Sequence, residues 1–157
     1  MIDIGALLQP EIPRLRRYAR ALLGDATRAD DLVEDCLSEA VRTIDLFWSG
    51  TDLRVWLFAL LHNQLANNRR SMAQAGLPHR SRQSSLTLAD LRQALARLAD
   101  DERQVVLLVG LEGFPYDDVA RILDVPVGTV RARLSRGRNT LHVAMTGGEK
   151  PRSSAAA

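Results

Sequence analysis

Residues 116–141 read YDDVARILDVPVGTVRARLSRGRNTL, and this stretch decides the fold because it holds two helical patterns separated by a tight turn. We expect a first helix from Tyr116, a turn at residues 124–126 and a second helix opening at Val127. On the second helix, small or apolar residues at i, i+4, i+7 and i+11 form one inward stripe: Val130, Leu134, Gly137 and Leu141. Ala120 is small enough for the two helices to cross there. The stretch predicts a helix-turn-helix.

The opposite face of the second helix is suited to DNA. It carries Gly128, Arg131, Ala132 and Ser135, with Arg138 one turn further on. Arginine can bond guanine bidentately in the major groove, and small residues let the backbone approach closely, so Arg131 is the predicted base contact. Flanking arginines are assigned mainly to phosphates: Arg133, Arg136 and Arg138. The alternative is an ordinary solvated face with salt bridges.

The rest of the chain also has helical periodicity and lacks the alternating β-branched runs that are typical of strands. Apolar spacing predicts a helix over residues 11–23. A second helix continues for four turns after Thr27, which with Asp30 resembles a capping box. A third helix, capped by Thr51 or Asp52, has the buried stripe Leu53, Trp56, Leu57, Leu60, Leu61 and Leu65. We therefore expect an all-α protein.

The distribution of apolar residues predicts two small helical domains joined by a flexible linker, the second ending in the helix-turn-helix. The first domain spans residues 1–71. Residues 72–85 are poor in apolar side chains and contain Gly76 and Pro78, which indicates a linker. The second domain spans residues 86–145, and residues 146–157 have the composition of a disordered tail.

Composition excludes several classes of function. The single cysteine, Cys36, cannot form an intramolecular disulfide, and its place on a buried stripe favours a core role. The sequence contains no glycine-rich phosphate loop, metal-spaced Cys or His set, or plausible Ser/His/Asp combination, so we expect neither an enzyme nor a cofactor or metal. Without a signal peptide or an apolar run of about 20 residues, the predicted location is cytoplasmic, with no membrane insertion.

Two stretches carry a specific resemblance, EGFPYDDVA at residues 112–120 and VPVGTVRARL at residues 125–134. They resemble the minus-35-reading domain of extracytoplasmic-function sigma factors, which direct RNA polymerase to promoters. The resemblance implies two sets of contacts: Thr129, Arg131, Ala132 and Ser135 at the minus-35 element, and Arg136 and Arg138 on the DNA backbone. The family usually has glycine where this chain has Asp124, at a turn position suited to positive φ; aspartate tolerates that conformation better than most residues.

The first domain has its own resemblance, in ADDLVED at residues 29–35 and GTDLRVWLF at residues 50–58. These are similar to the sigma domain that binds the polymerase clamp and opens the minus-10 element, so the resemblance covers about residues 11–145. It implies a polymerase-binding set, Asp31, Glu34, Asp35 and Arg42. The alternative for the carboxylates is an ordinary solvated acidic face that stabilises the start of the helix. Glu34 is a departure, because glutamine is common at that site in the family.

The resemblance also implies a site for a base flipped from the nontemplate strand, made by Asn63, Asn67, Arg70, Trp48 and Ser49. Asn63, Asn67 and Arg70 are spaced i, i+4 and i+7, so they share one edge of the third helix, where amides can read an extruded base. Phe47 and Trp48 either join the pocket loop or pack between helices. Trp56 and Phe58 are assigned to the core.

A sigma subunit is the favoured hypothesis, with core RNA polymerase, promoter DNA and an anti-sigma factor as its partners. One alternative is a sigma-like mimic that sequesters an anti-sigma factor and never touches DNA; the retained Arg131 and asparagine edge argue against it. Another is a polymerase-independent helix-turn-helix regulator, which would bind an operator tightly without core enzyme.

Overall fold

The computed structural model describes residues 3–47, 52–72 and 86–146, with the side chains of 69–72 and 86–89 left aside. All regular structure in these ranges is helical, which confirms the all-α prediction. Two 3₁₀ turns, Gln9–Glu11 and Ile44–Leu46, accompany eight α-helices: α1 Ile4–Leu8, α2 Ile12–Leu23, α3 Ala26–Thr43, α4 Leu53–Met72, α5 Leu86–Arg97, α6 Asp100–Gly110, α7 Tyr116–Leu123 and α8 Val127–Thr146. The predicted linker and tail lie outside the described residues, except Met72 and Thr146, so their boundaries stay predictions.

The α2–α3 corner shows how local chemistry sets the helix ends of the first domain. Gly24 ends α2 in the left-handed conformation, φ 68°, and its amide donates to the Arg20 carbonyl at 2.9 Å. The Asp25 carboxylate then accepts from the amides of Thr27 and Arg28. The cap of α3 is therefore Asp25, and the predicted capping box at Thr27 was wrong by two residues.

Helix α3 packs its apolar stripe between α2 and α4, and Cys36 lies on that stripe. The thiol is fully buried and donates to the Leu57 carbonyl at 3.5 Å. Burial raises the pKa of the Cys36 thiol to about 12, because the thiolate would lose its hydration. The cysteine is a core residue, as the stripe predicted.

Helix α4 is buried on two sides because it contacts α3 of its own domain and α7 of the other. Leu57, Phe58 and Leu61 are fully buried. Val55, which is outside the predicted stripe, is only 6% exposed, whereas Trp56, which the stripe included, is half-buried against Phe47 with the ring centroids 5.2 Å apart. The predicted stripe assumed one buried face, whereas α4 has two, and so it does not match the observed burial.

Helix α8 is the centre of the second domain and packs against α5, α6 and α7. Val130, Leu134 and Gly137 are buried, and Leu141 is half-buried, so the predicted inward stripe is confirmed. Gly137 allows close approach to α6: a Cβ at this position would lie 2.6 Å from the Val106 Cγ2 atom. The stripe turns the opposite face of α8 toward solvent.

The two domains pack against each other through helix contacts, α2 with α6 and α4 with α7, and through the loop between α6 and α7. Glu112 accepts two hydrogen bonds from the Arg17 guanidinium on α2, at 3.0 and 2.9 Å. Two residues on, the Phe114 ring meets Phe58 edge-on at 5.0 Å. These contacts join the cores of the domains into one hydrophobic cluster.

We expect Gly137→Ala to lower the free energy of unfolding by about 1–3 kcal/mol, because the added methyl group overpacks the α6–α8 contact. Gly110→Ala is the matched control, since a Cβ there meets nothing within 4 Å and alanine favours the helix. Urea unfolding followed by circular dichroism measures both. Equal effects of the two substitutions would contradict the assigned packing.

The turn between α7 and α8 depends on Asp124, which adopts the left-handed conformation with φ 53° and ψ 52°. Among the described residues it is the one non-glycine with positive φ. The Val125 amide closes the turn by donating to the Ala120 carbonyl at 3.0 Å. Aspartate thus occupies the conformation that the resemblance implied for glycine, at some conformational cost.

We expect Asp124→Gly to raise the free energy of unfolding by about 0.5 kcal/mol, because relief of the left-handed strain outweighs the added entropy of the unfolded chain. Asp124→Val should lower it by about 1–2 kcal/mol, since a β-branched residue tolerates positive φ poorly. In thermal unfolding, the midpoint temperature should be highest with glycine at position 124, intermediate with aspartate and lowest with valine. The reverse order would contradict the turn geometry.

Candidate nucleic-acid interface

The solvent face of α8 presents the residues that the sequence assigned to DNA. Arg131, Ala132, Ser135 and Arg138 are exposed, and Thr129 is half-buried at the start of the helix. The Pro126 carbonyl accepts from the amides of Thr129 and Val130 at 3.0 and 3.2 Å, which fixes the first turn of α8. The buried stripe holds the helix from behind, so this face is both rigid and accessible.

The arginines of α8 divide into two groups by their partners. Arg131 and Arg138 form no ion pair with any described residue. The Arg133 Nε atom lies 3.4 Å from the Asp101 carboxylate, and its side chain is only 22% exposed. Arg133 therefore ties α8 to α6, and its assignment to phosphates stays a prediction. Arg136 lies 3.5 Å from Glu102 but remains 60% exposed, so it can still reach a ligand.

An open cleft of about 640 Å³ extends the arginine face along α8. Its lining includes three residues that the sequence reasoning missed: Tyr116, Asn139 and His142. His142 continues the spacing of Arg131, Ser135 and Arg138 by one further turn, a signal that was present in the sequence. Tyr116 comes from α7 and had no such signal, because only the tertiary packing brings it to α8.

The asparagine edge, Asn63 and Asn67, lies on the surface of α4. Both side chains are exposed and stand one helical turn apart. Arg70 belongs to the same helix, but its side chain lies outside the described residues, as do Trp48 and Ser49 altogether. The structure therefore brings together the two amides of the predicted set. Phe47 packs against Trp56 and is half-buried.

The acidic face of α3 is also accessible. Asp31, Glu34 and Asp35 are exposed, and Arg42 is 75% exposed while it pairs with Glu39 on the same helix. Two exposed apolar side chains lie along this end of the domain, Val41 at 53% and Leu46 at 70% exposure. Charged residues around exposed apolar ones are typical of a protein-binding surface.

We also searched residues 3–47, 52–72 and 86–146 for a metal site and for a membrane-spanning helix. No cluster of three or more His, Cys, Asp or Glu side chains there could hold a metal ion. No helix in the same ranges is long and apolar enough to span a bilayer.

Two family models match the chain, one for each domain. Residues 8–62 match the Sigma2 domain of PhyR, and residues 88–141 match Sigma-70, region 4. Together the two matches cover most of the described chain, including the acidic face and the whole helix-turn-helix.

Relatives and solved structures agree with these matches. The ECF RNA polymerase sigma factor EcfG of Rhodopseudomonas palustris is 36% identical over 83% of this chain and 78% of its own length. The sigma factor RpoE of Bartonella quintana, solved with the anti-sigma factor NepR, is 33% identical with a TM-score of 0.79, covering 89% of this chain and 94% of that one. The PhyRSL–NepR complex of Sphingomonas sp. Fr1 gives 29% identity and a TM-score of 0.74, covering 98% and 96%. The chain therefore belongs to the extracytoplasmic-function sigma factors of RNA polymerase.

Proposed function

We propose that this sigma factor engages promoter DNA through two separate surfaces, the solvent face of α8 and the asparagine edge of α4, while the acidic face of α3 binds core RNA polymerase. The observation that carries the proposal is the pair Arg131 and Arg138, which stand on the exposed face of α8 without a described counter-charge. The protein works where the polymerase is, in the cytoplasm. As sigma factors in general are regulators, we assign it no catalysis of its own.

On the minus-35 element, α8 enters the major groove with its first turns. Arg131 donates to a guanine edge, while Thr129, Ala132 and Ser135 allow close approach and short-range contacts. Arg136 and Arg138, further along the helix, contact phosphates and set the register. Asn139, His142 and Tyr116 extend the phosphate-facing surface, because they line the same cleft as Arg138.

At the minus-10 element, Asn63 and Asn67 hydrogen-bond the edge of a base extruded from the nontemplate strand, together with Arg70, Trp48 and Ser49. Amide side chains can both donate and accept, which suits an unpaired base. Promoter opening is driven by capture of unstacked bases and needs no nucleotide hydrolysis. The exposure of both amides in the free chain supports this role.

Core polymerase docks on Asp31, Glu34, Asp35 and Arg42, with the exposed Val41 and Leu46 adding apolar contact. The charges orient the encounter, and the apolar area supplies the burial that a stable complex needs. An anti-sigma factor is the proposed inhibitor, because RpoE, one of the similar structures, was solved with the anti-sigma factor NepR.

A sigma-like mimic that only sequesters an anti-sigma factor is the second candidate. NepR is present in both the RpoE and the PhyRSL complexes, so similarity to these structures does not separate the two roles. The exposed arginine face and asparagine edge favour the sigma role, since a mimic needs neither. Membership of the sigma family argues against a polymerase-independent regulator.

Reconstituted transcription separates these functions. With core polymerase and the promoters upstream of transcripts induced by overexpression, the chain should direct promoter-specific initiation. A mimic would give no transcript from any of them, and an independent regulator would shift operator DNA in the absence of polymerase.

We expect Arg131→Ala to reduce transcription from a minus-35-dependent promoter by about 5- to 150-fold, the loss of one bidentate base contact. Arg92→Ala on α5, an exposed arginine outside the proposed sites, is the control and should transcribe normally. Anti-sigma binding should be unchanged in both. Normal transcription by Arg131→Ala would contradict the assignment of α8 to the minus-35 element.

We expect Asn63→Ala combined with Asn67→Ala to leave polymerase binding intact but to reduce strand opening on the order of tenfold, because the captured base loses its edge contacts. Permanganate reactivity of unpaired thymines at the minus-10 element measures the opening. Gln93→Ala removes an exposed amide from α5 and serves as the control. Unaltered permanganate reactivity in the double variant would contradict the assignment of Asn63 and Asn67 to the minus-10 site.

A further inference from the structure

Helix α6 begins beside the arginine face of α8 and contributes two carboxylates to it, Asp101 and Glu102, both in its first turn. Asp101 forms an ion pair with Arg133 at 3.4 Å, and Glu102 forms one with Arg136 at 3.5 Å. A carboxylate and a phosphate compete for the same guanidinium, because both accept its hydrogen bonds through negatively charged oxygens. The two ion pairs therefore affect how strongly α8 can bind a DNA backbone.

The two ion pairs differ in which partner is the more buried. In the first, the Arg133 side chain is 22% exposed and that of Asp101 is 46% exposed. In the second the order is reversed, since Arg136 is 60% exposed and Glu102 only 15%. An ion pair with so exposed an arginine is weak, because water and salt screen it. Of the two arginines, Arg136 is the one that can exchange its carboxylate for a phosphate.

Glu102 is held beside α8 whether or not Arg136 stays with it. Its backbone and Cβ atom pack against Gly137, where an added Cβ would lie 3.4 Å from the Glu102 carbonyl oxygen and 3.5 Å from the Glu102 Cβ atom. The Glu102 amide also donates to the Asp101 carboxylate at 2.8 Å. A phosphate that binds Arg136 must therefore approach a carboxylate fixed nearby, and the two like charges repel each other.

We propose that Glu102 is an intramolecular competitor of the DNA backbone: it holds Arg136 in the free chain and lowers the sequence-independent affinity of α8 for DNA. The inference rests on the proposed function, in which Arg136 contacts a phosphate. Phosphate contacts carry no sequence information, so weakening one of them lowers binding to every duplex. A duplex that adds a base contact with Arg131 then stays bound at protein concentrations at which other duplexes dissociate.

Duplex binding by the full-length chain tests the competition. The probe is a fluorescently labelled DNA duplex of mixed sequence, and its anisotropy is measured at several low salt concentrations. Glu102→Gln should lower the dissociation constant by about 2- to 5-fold, because Arg136 no longer leaves a charged partner when it binds a phosphate. The slope of log affinity against log salt should steepen by up to about one, since no cation is taken up by a bared carboxylate.

Asp100→Asn is the matched control. It removes a carboxylate from the same turn of α6, but Asp100 is 58% exposed and pairs with Arg103 of its own helix. A general change of charge acts in both variants, whereas release of Arg136 occurs in Glu102→Gln alone. Equal dissociation constants for the two variants, or weaker binding by Glu102→Gln than by the unsubstituted chain, would overturn the proposal.

Arg136→Gln completes a double-mutant cycle. In this background, Glu102→Gln should change the dissociation constant no more than Asp100→Asn does, because no arginine remains to be released. An undiminished effect of Glu102→Gln would show that the carboxylate acts without Arg136, and would also overturn the proposal. Urea unfolding provides a further readout, since a merely structural ion pair would lower the free energy of unfolding in Glu102→Gln without tightening DNA binding.

Failure of the competition is distinguishable from failure of the proposed function, because the binding measurements use neither polymerase nor a promoter. If Glu102→Gln and Asp100→Asn bind the duplex alike while the unsubstituted chain directs promoter-specific transcription, the competition is wrong and the proposed function stands. Absence of promoter-specific transcripts would instead contradict the proposed function.

Discussion

The orientation of the arginine face depends on the burial of one side of α8 against α6. Val130 and Leu134 are almost fully removed from solvent, and Gly137 lets the helices approach within van der Waals contact of Val106. Arg133 and Arg136 reinforce the same contact from its edges through Asp101 and Glu102. Because the inward face is determined so strongly, the outward face has little freedom of orientation. A helix held in this way can present arginine to a groove at low entropic cost.

Packing likewise determines which edge of α4 remains exposed. One of its sides completes the core of the first domain through Leu57 and Leu61, and Phe58 meets the second domain. Among the described side chains of α4, those of Asn63, Ala66 and Asn67 stay exposed along the remaining edge. The surfaces proposed to bind nucleic acid are thus what remains exposed after packing, and the interdomain contact uses neither the asparagine edge nor the arginine face. The interdomain contact therefore hides neither of the surfaces proposed to bind DNA.

Much of this architecture follows from periodicity. The stripes of α2, α3 and α8 were readable because each of these helices is buried mainly on one face, and the helix-turn-helix was readable because its turn has a distinctive sequence. Periodicity did not predict the burial of Val55, because α4 is buried on two faces and the predicted stripe covered one. The cap of α3 was misplaced because Asp25 and Thr27 are both good capping residues, and only the backbone conformation distinguishes them.

Glu112 and Phe114 show a deeper limit of sequence reasoning. Both lie in a short loop with no repeat, and their partners are far away in the chain, so no local pattern indicates that a charged residue there is buried. Tyr116 joins the cleft of α8 for the same tertiary reason. Contacts of this kind arise only from tertiary packing of the helices, so local sequence patterns do not predict them.

The most direct test of the central claim is site-specific photo-crosslinking in the complex of this chain with core polymerase and promoter DNA. A photoreactive residue at position 131 should crosslink within the minus-35 element, and one at position 67 should crosslink to the nontemplate strand at the minus-10 element, about 25 base pairs away. Crosslinks from both positions to the same few base pairs, or to protein alone, would contradict the account.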